Sequence, residues 1–173
     1  DRIVVQPRFT GALLIDAGAL PDEERRYSTV AFALDDGRTL HYRDIRRLGT
    51  VSLMSQTRWH EYNAALGPEP LDPEFTPVAL SGLLRGSRQA VKKLLMDQRR
   101  LAGIGNIYAA EALWRAGVDP SRPGRSISPV EAAALHAGVT SVLREAIAAG
   151  GTTFRDYRGP AGEATRAISE QML

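Results

Sequence analysis

Cysteine is absent from the 173-residue chain, and histidine occurs only three times. Without cysteine, these residues cannot provide a disulfide framework, a thiol nucleophile or a thiolate zinc site. The histidines, His41, His60 and His136, are scattered and do not follow the spacing of a metal site. No apolar run is long enough to span a membrane. We therefore expect a soluble protein that binds no metal through these residues.

Short catalytic motifs are missing as well. The chain contains no G-x-S-x-G, no H-E-x-x-H and no P-loop. The acidic pairs Glu23-Glu24 and Asp35-Asp36 lie in predicted loops, where we expect them to be solvated. Hydrophobic residues make up 43% of the chain, which is enough to bury the core of one ordinary domain or two small ones. The pattern indicates a binding surface more clearly than an active site.

Lysine is rare among the basic residues. Only Lys92 and Lys93 are lysines, and the other twenty of the 22 basic residues are arginines. Six basic side chains lie between Arg85 and Arg100, where Asp97 is the only acidic residue. A charged segment of this kind is usually a solvated face, but its density also suits a phosphate backbone. Composition leaves both interpretations open.

The first third of the chain has the pattern of β-strands, with short apolar runs bounded by proline, glycine and aspartate. Residues 29–34 and 39–42 flank Asp35-Asp36-Gly37, and the glycine can adopt the positive φ that a tight turn needs. We expect an antiparallel hairpin there, a further strand at 51–54 and a short helix at 58–66.

Four prolines between Leu66 and Pro77 exclude a continuous helix or central strand. We therefore predict a β domain at residues 1–66, a linker at 67–77 and a helical domain at 78–173. Thr76-Pro77 and the capping box Ser128-Pro129-Val130-Glu131 predict two helix starts. Further helices are expected after Ser87, taken as a cap, and from Asn106 to Arg115.

Gly103-Ile104-Gly105-Asn106 predicts a tight turn before a helix. A dinucleotide fingerprint is disfavoured, because Tyr108 occupies the place of its third glycine. Backbone N–H groups at such a turn can bind an anion, and the basic segment before it favours this interpretation. The alternative is a turn whose glycines only permit close helix packing.

The segment Asp44–Gly49 places Arg46 and Arg47 beside Leu48 at the end of the hairpin. In a projecting loop, arginine can donate to base edges or phosphates while leucine inserts between stacked bases. A solvated turn with one buried leucine is the alternative. Phe9, beside Arg8 at another predicted turn, is open to a similar interpretation, and the alternative for it is a position in the core.

Six blocks of the sequence, taken in order, closely resemble the formamidopyrimidine-DNA glycosylase (Fpg/Nei) family. They cover most of the chain. The blocks are Phe9–Gly11, Asp44–Gly49, Leu66–Leu71, Leu95–Gln98, Gly103–Tyr108 and Gly150–Thr153. The resemblance implies an α+β protein, in which part of an antiparallel β-sandwich is followed by an all-α helix-two-turns-helix DNA-binding domain.

The resemblance also implies roles for individual residues. Phe9, Arg46 and Leu48 would fill the gap that a flipped-out nucleotide leaves in DNA. DNA-binding residues would include Asn106, Lys92 and the main chain of Gly105. Tyr27 and Ser87 are expected in the same DNA-binding set.

The family's catalytic proline–glutamate start and its four-cysteine zinc finger are not among these residues. We therefore expect these residues to be part of a longer protein, with zinc only in a C-terminal finger if that protein has one, and we expect no catalytic or metal-binding residue in this stretch. Several residues depart from the family's common choices: Phe9 replaces methionine, Leu48 phenylalanine, Gln6 histidine and Tyr27 histidine.

The expected function is base-excision repair by a bifunctional DNA glycosylase and abasic-site lyase that removes oxidised purines such as 8-oxoguanine. The alternatives are a non-catalytic binder of damaged DNA, a glycosylase for oxidised pyrimidines and, more remotely, an RNA-binding protein. Damaged duplex DNA is the expected partner. We also expect a monomer, a cytoplasmic location at the bacterial nucleoid, and no membrane partner.

Overall fold

The computed structural model describes residues 1–8 and 10–149. It forms two compact units, one built on Asp1–Thr57 and the other on Arg58–Glu145. Antiparallel sheets occupy the first unit and helices the second. This confirms the predicted α+β class, whereas the linker at 67–77 stays a prediction.

The first unit contains five strands in two antiparallel sheets. One sheet pairs β1 with β5, and the other has the order β2-β4-β3. The strands are β1 Arg2–Gln6, β2 Gly11–Asp16, β3 Ser28–Ala33, β4 Thr39–Asp44 and β5 Thr50–Met54. The predicted hairpin is confirmed as β3–β4, with Gly37 at φ 83° in its turn.

A short helix, α1 (Asp22–Arg25), follows β2. The prediction that Glu23-Glu24 is a solvated pair is wrong for Glu24, whose carboxylate lies 2.8 Å from the guanidinium of Arg43. Arg43 is only 4% exposed on β4. A charge buried so deeply needs a counter-charge, and α1 supplies it.

The second unit is helical. Its helices are α2 Gln56–Ala64, which begins at the end of the first unit, α3 Pro77–Leu84, α4 Val91–Met96, α5 Asn106–Arg115, a 3₁₀ turn at Gly124–Ser126 and α6 Pro129–Ala148. The predicted starts at Pro77, Asn106 and Pro129 are confirmed. Thr76 caps α3 by accepting the amide of Ala79 at 3.2 Å.

The prediction that Ser87 caps α4 is wrong, because α4 begins four residues later, at Val91. The preceding segment instead pairs with the chain before α6. Backbone bonds join Val91 N–H to the Arg122 carbonyl at 2.7 Å and Gly124 N–H to the Gln89 carbonyl at 2.9 Å. This strand-like pairing satisfies the backbone that a cap would otherwise serve.

One apolar core holds the second unit together. Its buried members come from α3, α4, α5 and α6 and from the turn before α5, and they include Leu80, Leu84, Val91, Leu94, Leu95, Leu101, Ile104, Leu113, Leu135 and Val139. Helices α5 and α6 approach closely at Gly138, where a Cβ atom would lie 2.8 Å from the Ala112 carbonyl oxygen. Arg115 of α5 adds bonds to Ser141 and Glu145 of α6.

The predicted capping box at the start of α6 is confirmed. Glu131 accepts the Ser128 amide at 2.8 Å, and the Ser128 hydroxyl accepts the Glu131 amide at 3.3 Å. Arg122 forms an ion pair with the same carboxylate. The Arg122 guanidinium and the Ser128 donors lower the pKa of Glu131 from 4.5 to about 2.

We expect Glu131→Gln to lower the Tm at neutral pH by a few degrees at most, since the pair is partly exposed. Glutamine keeps the capping geometry but loses the charge opposite Arg122. The folded-state pKa lies below the unfolded value, so the wild-type advantage is present above about pH 5 and disappears as the pH falls toward about 2. Thermal unfolding between pH 2 and 7 measures it, with exposed Glu74→Gln as the control. A Tm difference that does not change with pH would contradict the ion-pair account.

Candidate nucleic-acid interface

The turn before α5 is held by the side chain of Gln98. Its amide oxygen accepts the Gly103 N–H at 2.8 Å, and its amide nitrogen donates to the Ile104 carbonyl at 2.9 Å. Gly103 has φ 77°, a conformation that favours glycine. Ile104 is buried in the core. The turn is therefore fixed from both sides before any ligand arrives.

The N-terminus of α5 is open to solvent. Gly105 is the N-cap residue and provides no side-chain cap, and a Cβ atom built there would have open space around it. The N–H groups of Asn106, Ile107 and Tyr108 occupy the first turn, where a helix supplies no carbonyl partners. This end carries the positive part of the helix dipole and suits an anion such as phosphate.

The second unit also exposes basic side chains of the segment that precedes α5 in the chain. Arg85, Arg88, Lys93 and Arg99 are exposed. Arg100 has a structural role instead, because its guanidinium donates to the Leu83 carbonyl at 3.0 Å. We call the exposed residues, together with Lys92 and Asn106, the basic surface.

Lys92 is half-buried on α4 and lines a groove of about 410 Å³ with Trp114, Gly117 and Pro120. The groove follows the C-terminal part of α5 rather than its N-terminus. Ser87 lies in the turn before α4, where its hydroxyl accepts the Gln89 amide at 3.3 Å and its carbonyl accepts the Arg125 amide. That hydroxyl accepts within the turn and keeps its own hydrogen as a donor, so the DNA-binding role of Ser87 stays a prediction.

In the first unit, the segment Asp44–Gly49 is a loop whose first residue is buried and whose central residues are exposed. Asp44 is 1% exposed, whereas Arg46, Arg47 and Leu48 are exposed, with 49% of Leu48 accessible. Arg47 has φ 52°, a left-handed conformation that is uncommon for arginine. The loop therefore has a defined shape and presents an arginine and a leucine to solvent.

Hydrogen bonds determine the protonation state of Asp44, the buried residue at the start of this loop. Burial raises the pKa of Asp44, but donors from the Gly49 amide, the Thr10 hydroxyl and the Leu48 and Arg46 amides outweigh it, so the pKa lies below its ordinary value. Burial and the Asp44 charge raise the pKa of Tyr42. At neutral pH Asp44 is ionised and Tyr42 keeps its proton.

Tyr27 lies beside the same loop. Its carbonyl accepts the Asp44 amide at 3.1 Å, and its hydroxyl accepts from Arg26 at 2.6 Å. The Arg26 guanidinium also lies 4.6 Å from the centre of the Tyr27 ring. Phe9 and the block Gly150–Thr153 lie outside the described residues, and their predicted roles stay predictions.

The sequence did not single out the residues that hold these two segments in place. Gln98, Thr10 and Asp44 lie inside the quoted blocks, but no role was assigned to them. Strand geometry places Asp44 on the same face of β4 as Tyr42, but His41 and Arg43 on the other face are buried as well, so alternation alone gives no signal for the burial of Asp44. Gln98 gives no signal either, because its bonds reach five and six residues along an irregular turn.

Within residues 1–8 and 10–149, no group of three or more acidic or histidine side chains is placed to hold a metal ion. No helix in this range is both long and apolar enough to cross a bilayer.

Comparison with known proteins identifies the helical region. Residues 66–158 match the model of the formamidopyrimidine-DNA glycosylase H2TH domain. The formamidopyrimidine-DNA glycosylases of Roseiflexus sp. and Thermomicrobium roseum are 44% and 49% identical over 90% and 95% of this chain. The chain spans 56% and 61% of their lengths.

Solved structures agree over both units. The MutM (Fpg) protein from Thermus thermophilus has a TM-score of 0.79 and 36% identity, and the alignment covers 94% of this chain and 60% of that one. Lactococcus lactis Fpg, in complex with DNA containing an abasic site, has a TM-score of 0.83 and 26% identity over 98% of this chain and 61% of that one. Since the H2TH model alone accounts for more than half of the residues, this chain belongs to the formamidopyrimidine-DNA glycosylase family.

Proposed function

We propose that the full-length protein is a DNA glycosylase and abasic-site lyase that removes oxidised purines from duplex DNA in base-excision repair. The loop Asp44–Gly49 carries this proposal, because it exposes Arg46 and Leu48 and is anchored by the buried, hydrogen-bonded carboxylate of Asp44. The alternative, a solvated turn with one buried leucine, differs from the structure, in which Leu48 is 49% exposed. Family membership supports the same function, and relatives have been solved with DNA that contains damage.

In this proposal the second unit binds the DNA backbone and the first unit recognises the lesion. The basic surface and the open N-terminus of α5 bind phosphates and contribute affinity for any sequence. The Arg46 loop recognises the lesion. Extruding a nucleotide costs a few kcal/mol in lost stacking and pairing, which replacement contacts must offset. Arginine suits the gap, because its planar guanidinium can donate to the orphaned base and also stack.

Catalysis falls to residues that these 173 do not include. By family resemblance, an N-terminal proline amine attacks C1′ of the extruded nucleotide, the N-glycosidic bond breaks and the oxidised base leaves. The sugar ring opens to give a Schiff base, and elimination then cleaves the strand by expelling the 3′ phosphate. A glutamate beside the proline assists. The described residues hold the DNA and the extruded geometry for that attack.

A non-catalytic binder of damaged DNA is the second candidate. It needs only groups that this chain contains: the basic surface, the open N-terminus of α5 and the Arg46 loop. Phe9 and Leu48, at gap-filling positions, and Tyr27, at a DNA-contacting position, depart from the family's common residues, so the lesion that it recognises can differ from the family's. The two candidates share the basic surface and differ in covalent chemistry, so one trapping experiment separates them.

We expect borohydride to trap a covalent adduct between the full-length protein and DNA that contains an oxidised purine, because reduction makes the Schiff base permanent. The 173-residue chain alone should give no adduct. Gel mobility of the labelled duplex measures the outcome. Absence of an adduct with the full-length protein would favour the binder, and an adduct with the chain alone would assign the nucleophile to an internal amine such as Lys92 or Lys93.

Lys92→Ala should weaken binding to all duplexes and reduce the slope of log K against log salt by about 1, the value for one lost phosphate contact. Asn106→Ala should weaken binding without changing that slope, because asparagine carries no charge. Titrations from low to high salt measure both effects. Arg144→Ala, an exposed arginine of α6 outside the basic surface, is the matched control. Equal slopes for wild type and Lys92→Ala would remove Lys92 from the interface.

Arg46→Ala should reduce the preference for lesion duplex over intact duplex by about tenfold or more, the discrimination expected of one good arginine–base contact. Leu48→Ala should act in the same direction but more mildly, since leucine offers no hydrogen bond. Paired binding isotherms on the two duplexes measure the preference, with Arg38→Ala in the hairpin turn as the control. If Arg46→Ala weakens both duplexes equally, Arg46 is a phosphate contact and not a gap-filling residue.

A further inference from the structure

Three residues of the first unit meet at a buried carboxylate. Asp44 accepts the Thr10 hydroxyl at 2.7 Å on one oxygen. Its other oxygen accepts the Gly49 amide at 2.8 Å and the Tyr42 hydroxyl at 3.3 Å. We call Thr10, Tyr42 and Asp44 the Asp44 hub. All three are at most 5% exposed, so the hub is shielded from solvent.

The hub holds both ends of the Arg46 loop. The Thr10 hydroxyl donates to Asp44 and accepts the Arg46 amide at 3.1 Å. Gly49, at the other end, donates its amide directly to Asp44. The residues between these anchors have little freedom, and Arg47 adopts φ 52° within them. The direction in which Arg46 leaves the surface is thus set by a bond to a residue 36 positions away.

The hub also joins the loop to the start of β2. A Cβ atom at Gly49 would overlap the Tyr42 hydroxyl, and one at Gly11 would lie 2.7 Å from it. Both glycines are therefore required by the same hydroxyl. Thr10, next to Gly11, connects the beginning of β2 to the Arg46 loop.

The Thr10 hydroxyl donates to Asp44 and accepts the Arg46 amide, and the shape of the loop depends on both hydrogen bonds. We propose that Thr10 is a positioning residue for lesion recognition, whose hydroxyl, oriented by Asp44, fixes the Arg46 backbone so that the guanidinium enters the gap left by an extruded nucleotide. This inference rests on the proposed function. A residue that only stabilised the fold would lower Tm without changing the preference of the folded protein for damaged DNA.

Thr10→Val and Thr10→Ser test the proposal in the full-length protein. Valine keeps the shape and removes the hydroxyl, and serine keeps the hydroxyl. Binding isotherms on lesion and intact duplexes are measured well below the Tm of each variant. Thr10→Val should lose several-fold of the lesion preference with intact-duplex affinity within about twofold of wild type, and Thr10→Ser should retain the preference. Thr140→Val, which removes a half-buried hydroxyl bonded to the His136 carbonyl at 3.1 Å within α6, is the matched control.

A double-mutant cycle with Arg46→Ala adds a second readout. Because Thr10 acts through Arg46, Thr10→Val should have no further effect on lesion preference when Arg46 is already alanine. Should Thr10→Val not fold, Thr10→Ala replaces it, since the smaller side chain admits water to Asp44 while still removing the acceptor of the Arg46 amide.

The outcomes separate this inference from the proposed function. If Arg46→Ala lowers the lesion preference and the Thr10 variants do not, or if their effects add, the positioning role is overturned and the gap-filling role stands. If Arg46→Ala leaves the preference unchanged, the gap-filling role fails and the positioning role fails with it. Loss in Thr10→Val, rescue in Thr10→Ser and non-additivity with Arg46→Ala together support the positioning role.

Discussion

A carboxylate buried as deeply as Asp44 must be surrounded by hydrogen-bond donors, because an ionised group without them is too costly inside a protein. The first unit meets this constraint with donors from Thr10, Tyr42 and Gly49. Each donor comes from a different place along the chain, so satisfying one carboxylate fixes the positions of β2, β4 and the loop after β4. The exposed arginine and leucine are held in place by this buried charge.

In the second unit, a neutral side chain, that of Gln98, satisfies backbone groups of a turn. The Gln98 side chain has both a donor and an acceptor, and it binds the turn before α5 at both kinds of backbone group. The first amides of α5 are left facing solvent. In both units, therefore, a buried or constrained polar side chain satisfies the backbone on the inside and leaves the outward-facing groups available for a nucleic acid.

Local signals in the sequence predicted much of the fold. Thr76, the Ser128–Glu131 capping box and Gly37 each act within a few residues, so the helix starts and the hairpin followed from the pattern alone. Contacts between residues far apart in the sequence could not be predicted from the pattern. The pairing of β1 with β5, the ion pair of Glu24 with Arg43 and the bond of Thr10 to Asp44 depend on three-dimensional proximity that no local pattern contains. For the site, composition identified the basic segment 85–100. Only the fold shows that Arg100 binds the Leu83 carbonyl and that Arg85, Arg88 and Arg99 are exposed.

The close approach of α5 and α6 at Gly138 constrains the direction of α5, to whose N-terminus the proposed function assigns phosphate binding. With no side chain between them, the α6 backbone lies almost directly against the Ala112 carbonyl. A larger residue at position 138 would push α5 away and alter the direction in which its N-terminal amides point. Under the proposed function, DNA affinity would then depend on a residue that does not itself contact DNA.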